Sequence, residues 1–198
     1  MSSPDAGGSP LWIRMLTVTT ADQTHALGAA LAEVLRAGDL LVLTGELGAG
    51  KTTFTQGLGE GLGVREGIIS PTFVLVRIHP NLPDGPRPGG PDLVHVDAYR
   101  LGSASEIDDI DLENTLDSAV TVVEWGRDRV EHLSDSRLEV ELHRQLGGQP
   151  GGMAAAHHTA NGALDFESED DDEPRTIIIR GFGPRWAEQP VLAAEGIA

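Results

Sequence analysis

The sequence contains no cysteine, which excludes a disulfide framework, a thiolate metal site and a cysteine nucleophile. Aromatic residues make up only 4% of the 198 residues, so any core must be built mainly from aliphatic side chains. No stretch approaches the roughly 18 apolar residues of a transmembrane helix, and the N-terminal MSSPDAGGSP lacks the basic and apolar regions of a signal peptide. We therefore predict a cytoplasmic protein that makes no membrane contact.

Basic residues are also scarce, with 14 Lys and Arg against 31 Asp and Glu, which gives a formal net charge of -17. Seven of the acidic residues lie close together between positions 165 and 173. Nucleic-acid binding depends on cations that contact phosphates. We therefore expect any contact with RNA to be made through a partner protein.

One stretch organises the chain, a short apolar run at 40–43 followed by Gly45-x-x-x-x-Gly50-Lys51-Thr52. Every fixed position fits the phosphate-loop pattern G-x-x-x-x-G-K-[ST], and a helix is predicted to follow at 52–62. Glycines let backbone N–H groups close around phosphate oxygens, and the start of the helix directs its own N–H groups at the same anion. Lys51 adds a positive charge for the phosphates, and Thr52 offers a hydroxyl to Mg²⁺.

Strands and helices alternate along the first half of the chain, which predicts βαβ units and an α/β fold. We expect a phosphate-loop NTPase-like, mostly parallel sheet flanked by helices, with antiparallel edge strands. Clean alternation at 137–143 predicts a half-exposed strand near that edge. The remaining predicted strands lie at 11–18, 40–44, 74–79, 93–97, 119–123 and 176–180. The other predicted helices lie at 22–36 and 103–110, the second of them short and acidic.

Two carboxylates end apolar strands, Asp97 after 93–96 and Glu124 after 119–123. In a parallel sheet both strand ends lie at the same edge as the phosphate loop, where a carboxylate can hold a Mg²⁺-bound water or orient an attacking water. The spacing alone leaves open which of the two is nearer the metal. Thr72 lies in a proline loop of the kind that senses a γ-phosphate in nucleotide switches. For His95, structural and functional roles are equally compatible with the pattern.

Four motifs in this order resemble the TsaE family, also called YjeE: Gly45 to Thr53, Ser70 to Phe73, His95 to Leu101, and Glu124-Trp125. The resemblance covers about 17–142. It implies an ATPase required for threonylcarbamoyladenosine at position 37 of tRNAs that read ANN codons. It also implies a TsaB–TsaD-type complex as partner, with tRNA contacted through that complex.

The resemblance further implies ATP and Mg²⁺ as cofactors, with no other metal. The catalytic residues would be Lys51, Thr72, Asp97 and Glu124, and the Mg²⁺ ligands Thr52 and Glu124. The segment 20–24, before the first helix, would lie near the adenine. The expected nucleotide-binding residues are Glu46, Gly48, Ala49, Gly50, Lys51, Thr52 and Thr53.

Two further readings share the phosphate loop: a small-molecule or nucleotide kinase, and a non-catalytic module that binds ATP and changes its affinity for a partner. The sequence contains no arginine-rich lid segment, which disfavours the kinase. We expect a disordered N-terminus at 1–10, an ATPase domain at 11–146, a low-complexity acidic insertion at 147–174 that is disordered, and a final strand with a tail at 175–198. The loop at 81–91 and this insertion are additions to the family pattern.

Overall fold

The computed structural model describes residues 8–71, 74–101, 107, 112–145 and 174–193. Within them the chain forms seven strands and three α-helices, with single turns of 3-10 helix at Glu131–Leu133 and Pro184–Trp186. In chain order the elements are β1 (Trp12–Val18), α1 (Ala21–Ala32), β2 (Leu40–Gly45), α2 (Lys51–Leu62), β3 (Val76–His79), β4 (Asp92–Asp97), α3 (Glu113–Leu116), β5 (Ala119–Glu124), β6 (Arg137–Arg144) and β7 (Arg175–Phe182).

All seven strands belong to one sheet, in the order β1-β7-β6-β2-β5-β4-β3. The four central strands β6, β2, β5 and β4 are parallel to one another. The outer strands β7, β1 and β3 pair antiparallel. The predicted α/β class, with a parallel centre, flanking helices and antiparallel edges, is therefore confirmed.

Strand β2 lies at the centre of this sheet, and its first four residues, Leu40 to Leu43, are all 0% exposed. Alternate side chains point to opposite faces of a strand. Accordingly, Leu41 and Leu43 join the core beneath α1 and α2, whereas Leu40 and Val42 join a second core on the other face. The continuous apolar run therefore fits a strand buried on both faces.

The helices α1 and α2 pack with their backbones almost in contact, because glycines lie where they cross. A Cβ atom on Gly57 would lie 1.9 Å from the carbonyl oxygen of His25, and one on Gly28 would lie 2.3 Å from that of Phe54. No real Cβ tolerates such a distance from backbone. The two helices are thus held together as one layer, which fixes the N-terminus of α2 relative to that of α1.

The start of α1 agrees with the sequence, since Thr20 accepts a hydrogen bond from Gln23 N–H at 3.1 Å and caps the helix. Its predicted end at residue 36 is wrong. The helix ends at Ala32, and the chain continues in tighter turns in which Leu35 N–H bonds to Ala32 O. The strand predicted at 74–79 likewise begins only at Val76, after Leu75 takes a positive φ of 66°.

The sequence makes two predictions for 137–143. Its position near an antiparallel edge is confirmed, because β6 pairs antiparallel with β7. Its predicted half exposure is wrong. Strand β6 pairs parallel to β2, and its first four residues are all buried. Two of its polar residues are buried as a pair: Arg137 donates to Glu139 at 3.0 Å and lies over the ring of Phe182. At 137–140, the alternation of apolar and polar residues therefore corresponds to two faces of the strand that are both buried, and not to one face exposed to water.

The proline-rich loop at 81–91 lies against the ends of both helices. Arg87 donates to Ala32 O and Leu35 O, each at 2.9 Å, and Asn81 donates to Leu62 O at 2.9 Å. These side chains satisfy carbonyl groups that have no partner within a helix. The loop that departs from the family pattern thus caps the C-terminal ends of α1 and α2, away from the phosphate loop.

Several predictions fall outside the described residues. These are the N-terminal segment up to residue 7, the acidic helix at 103–110 apart from buried Ile107, and nearly all of the insertion at 147–174. On either side of the insertion, Gln145 N–H bonds to Pro174 O at 2.9 Å, so β6 and β7 remain paired where the description stops and resumes. In the described part of the chain, no helix is long and apolar enough to cross a membrane.

Candidate functional site

The loop between β2 and α2 has the backbone that its glycines predict. Gly45, Gly48 and Gly50 have φ angles of 147°, 79° and 99°, a region that side chains with a Cβ rarely adopt. Gly45 is also tightly placed, because a Cβ there would lie 2.4 Å from the carbonyl oxygen of Leu142. The loop therefore cannot keep this shape with larger residues at these positions.

Helix α2 begins directly at this loop, without a side-chain cap at Gly50. The first helical bond from that residue runs from Phe54 N–H to Gly50 O at 2.9 Å. The N–H groups of Lys51, Thr52 and Thr53 precede that turn and have no acceptor within the helix. Three donors and the positive end of the helix dipole thus point into the loop, an arrangement that suits a phosphate group.

Lys51 lies across the mouth of the loop and is the only lysine in the chain. Its Nζ donates to Gly45 O at 2.9 Å and Glu46 O at 3.0 Å, and lies 4.2 Å from the centre of the Trp125 ring. Burial lowers the pKa of Lys51 below its ordinary value, while the negative charge of Glu124 opposes that shift. The ammonium is therefore held by weak, replaceable partners at the place where phosphates would bind.

Asp97 and Glu124 are brought together as the sequence predicts. They end the parallel strands β4 and β5, are directly paired in register, and are 3% and 2% exposed. Asp97 accepts from Tyr99 N–H at 2.9 Å and from Ser70 Oγ at 3.3 Å. Glu124 Oε1 lies 2.8 Å from His95 Nε2. Both carboxylates thus lie on the Lys51 side of the sheet edge and contribute to its electrostatic field.

Of the other residues predicted for the site, Thr52, Ala49 and Glu46 lie among the described residues, and Thr72 does not. Thr52 lies in the first turn of α2 and is half-buried. Ala49 is buried beneath the loop, and Glu46 is exposed at its rim. Thr72 lies outside the described residues, so its predicted role as a phosphate sensor remains a prediction.

The rim residue Glu46 has a lowered pKa, mainly through its own backbone N–H and also through His143, whose Nδ1 lies 3.6 Å from its carboxylate. This places the charge of Glu46 towards β6, on the opposite side of the loop from Glu124. Any contact of Glu46 with a nucleotide would therefore be made on the β6 side of the loop, away from Asp97 and Glu124.

Two arginines that the sequence analysis did not single out lie against the loop on the side of β6 and β7. Arg144 Nη1 would lie 3.3 Å from a Cβ on Gly48, and the Arg175 side chain would lie 3.7 Å from one on Gly50, beside Thr24. The two arginines are paired in register across β6 and β7. Thirty residues separate them in sequence, so only the strand pairing shows that they meet here.

These groups fit a Mg²⁺–nucleotide complex. No cluster of three or more His, Asp or Glu side chains that could hold a metal occurs in the described part of the chain. Mg²⁺ in nucleotide sites needs only one or two protein ligands, because phosphate oxygens and waters supply the rest. The hydroxyl of Thr52 and the carboxylate of Glu124 are oxygen donors of the required kind.

The parallel sheet and the loop between β2 and α2 place the chain in the phosphate-loop NTPase fold class. The profile of the family described as threonylcarbamoyl adenosine biosynthesis protein TsaE matches residues 18–149. That range is most of the described sheet and contains the whole loop. The chain therefore belongs to the TsaE family.

Individual relatives agree with this assignment. The tRNA threonylcarbamoyladenosine biosynthesis protein TsaE of Streptomyces coelicolor is 47% identical over 171 residues, which cover 86% of this chain and 98% of the relative. The Bacillus subtilis protein of the same name is 38% identical over 124 residues, covering 62% and 73%. A crystal structure of Bacillus subtilis YdiB superposes with a TM-score of 0.59 at 27% identity, covering 88% of this chain and 89% of the other.

Proposed function

We propose that this protein is a Mg²⁺-dependent ATPase that acts in the formation of threonylcarbamoyladenosine on tRNA, in the cytoplasm, together with a TsaB–TsaD-type transferase. The observation that carries the proposal is the pairing of Asp97 with Glu124 at the strand ends, on the same edge as Lys51 and the phosphate loop. Membership of the TsaE family supports a role in threonylcarbamoyladenosine formation. The geometry of the strand ends and the phosphate loop supports Mg²⁺-dependent ATP hydrolysis.

Each group has a role that its position supports. The N–H groups at the start of α2 and the ammonium of Lys51 hold the phosphates, and Lys51 exchanges its loop carbonyls for phosphate oxygens. Thr52 and Glu124 hold Mg²⁺, which when bound neutralises charge that develops on the phosphates. Asp97 accepts a hydrogen bond from a water and orients it towards the γ-phosphate.

Direct tRNA binding has little support from the charge of the chain. With a formal net charge of -17, the protein as a whole repels a polyanion. We therefore assign the tRNA contact to the partner complex. In this scheme, nucleotide hydrolysis changes the state of the assembly, and the transfer reaction itself takes place on the partner.

The test is ATP hydrolysis by the purified protein, alone and with a TsaB–TsaD pair and unmodified tRNA, for wild type and Glu124→Ala. We expect stimulated hydrolysis and more modified tRNA with the wild type, and loss of both with the variant. Nucleotide binding without turnover under any condition would favour an ATP-gated binding module. Phosphate found on a small-molecule acceptor would favour a kinase.

A further inference from the structure

His95 lies entirely inside the protein, on β4 two residues before Asp97, and is 0% exposed. Its Nε2 is 2.8 Å from Glu124 Oε1. We assign the hydrogen of this contact to Nε2, because an ionised carboxylate accepts hydrogen bonds and does not donate them. Nδ1 has no hydrogen-bond partner in the described part of the chain. Among the described residues, the ring is thus held by its contact with Glu124.

Within the described residues, this contact is the one hydrogen bond that the Glu124 side chain makes. A glutamate has three rotatable side-chain bonds, so anchoring one carboxylate oxygen restricts the positions that the other oxygen can take. Oε1 is taken by His95, which leaves Oε2 for a ligand. Groups that orient a metal-binding carboxylate in this way contribute strongly to metal affinity although they do not touch the metal.

We propose that His95 is a positioning residue that anchors Glu124 Oε1 and thereby presents Oε2 to the divalent cation of the nucleotide complex. This inference rests on the proposed function and deepens it. The groups predicted to hold the phosphates, Lys51 and the N–H groups of the loop, have no contact with His95. His95 therefore sets the affinity for the cation and leaves the affinity for the cation-free nucleotide unchanged.

A second buried histidine provides a matched control. His79 lies on the neighbouring strand β3, is 8% exposed, and its Nε2 has no hydrogen-bond partner among the described residues. Among the described residues it has no hydrogen bond to Glu124, and its pKa is lowered by burial and then by the nearby charge of His95. Replacement of His79 therefore removes a buried imidazole from the same part of the sheet without changing the carboxylate.

The substitutions exploit the two ends of the imidazole. In His95→Gln, the amide N–H reaches about as far as Nε2 and can still donate to Glu124. In His95→Asn, the amide lies near the position of Nδ1 and cannot reach it. His79→Asn is the control, and circular dichroism with thermal melting establishes that each variant is folded.

The probe is the fluorescent nucleotide N-methylanthraniloyl-ATP, titrated first in EDTA and then at fixed nucleotide over a range of Mg²⁺ concentrations. We expect His95→Asn to raise the half-saturating Mg²⁺ concentration about 10-fold or more. Changes of this size are typical when a residue that hydrogen-bonds to a metal ligand is removed. Affinity in EDTA should stay within about twofold of wild type, since the phosphate contacts remain. His95→Gln should recover most of the Mg²⁺ response, and His79→Asn should behave as wild type.

Bound Mn²⁺, counted by electron paramagnetic resonance with ADP present, repeats the measurement without fluorescence or turnover. A wild-type Mg²⁺ response in His95→Asn would overturn the proposal, as would equal losses in His95→Asn and His79→Asn. If His95→Asn does not fold, failure of His95→Gln to bind Mg²⁺ like wild type would overturn it. A wild-type protein that binds no nucleotide, or binds it without any Mg²⁺ effect, would instead refute the proposed function.

Discussion

The two ends of the central strand β2 differ in how many hydrogen bonds the protein makes to the carboxylate buried beside each of them. At its beginning, Asp39 is 3% exposed and accepts from Arg185 Nε at 3.0 Å, from Arg185 Nη2 at 3.1 Å and from Arg36 N–H at 2.9 Å. Near its other end, Glu124 lies on the adjacent strand β5, paired in register with Leu43. It is equally buried, but among the described residues its carboxylate bonds only to His95. One carboxylate is fully matched by the protein itself, whereas the other is left with capacity for a ligand.

The same contrast holds across the sheet. Glu141 on β6 accepts from Arg127 at 2.9 Å and from Arg180 at 2.6 Å, and these contacts lower its pKa to about 2. Glu141, Arg127 and Arg180 thus neutralise one another on this side of the sheet and stabilise the fold. The charges beside the phosphate loop are also costly to bury, and we propose that they are retained for the ligand that this site would bind. This comparison predicts that the two groups respond differently to substitution.

Lys51→Ala should have the largest effect and separates binding from stability. Loss of charge-assisted bonds to the phosphates should weaken ATP binding by roughly 100-fold or more. The melting temperature without nucleotide should not fall, because a buried ammonium is removed. Calorimetry measures the ATP affinity, and thermal melting measures the stability. The control is Arg36→Ala, which removes one positive charge from an exposed side chain. Unchanged ATP affinity would remove the phosphate-loop assignment.

Asp39→Ala should show the reverse pattern, a loss of stability with binding retained. It leaves the Arg185 guanidinium without its carboxylate, and breaking a buried pair in this way costs about 3–5 kcal/mol. Urea unfolding measures this change, and Glu33→Ala, an exposed acid on α1's C-terminal side, serves as control. A variant that loses ATP affinity but keeps its stability would contradict the division between the two ends of β2.

Glu141→Gln should lower stability at neutral pH by about 1–2 kcal/mol, less than the full pKa shift implies because the group is partly solvated. The pKa of Glu141 is lowered from its ordinary 4.5 to about 2, so its contribution is fully present above pH 4.5. It is lost as the pH falls from 4.5 towards 2. The stability difference between wild type and variant should therefore shrink over that range. A difference that stays constant down to pH 2 would argue against the Arg127 and Arg180 contacts.

Replacement of residues 146–173 by an Asn-Gly turn should have the smallest effect. Gln145 and Pro174 are already joined by a backbone hydrogen bond, so a tight turn can close the β6–β7 hairpin. The melting temperature should change by no more than about 2 °C, since the paired charges of β6 and β7 are untouched. A large drop would show that the replaced segment stabilises the sheet.

The sequence predicts best where the physics is local. The phosphate loop needs glycines at fixed places next to Lys51 and Thr52, so the pattern alone specified its conformation and its place between β2 and α2. The end of α1 was missed because residues after Ala32 have good helical character, and only the turn to β2 and the Arg87 contacts with Ala32 O and Leu35 O show where it stops.

Relations between distant segments could not be predicted in the same way. Alternation along β6 is the same whether its polar face meets water or Arg127, Arg180 and Phe182. The contact of His95 with Glu124 depends on β4 and β5 being neighbours, which no single segment encodes. Thus the separate strand ends were predictable, whereas the contact of His95 with Glu124 was not.

The contact of Lys51 with Trp125 has a spectroscopic consequence. Because the chain has a single lysine, a sample grown on isotope-labelled lysine gives one set of side-chain resonances. The ammonium lies 4.2 Å from the centre of an indole ring, so the neighbouring methylene protons experience its ring current and should resonate upfield. When a phosphate draws the ammonium off the ring, that signal moves back, which makes one resonance a direct indicator of whether the loop is filled.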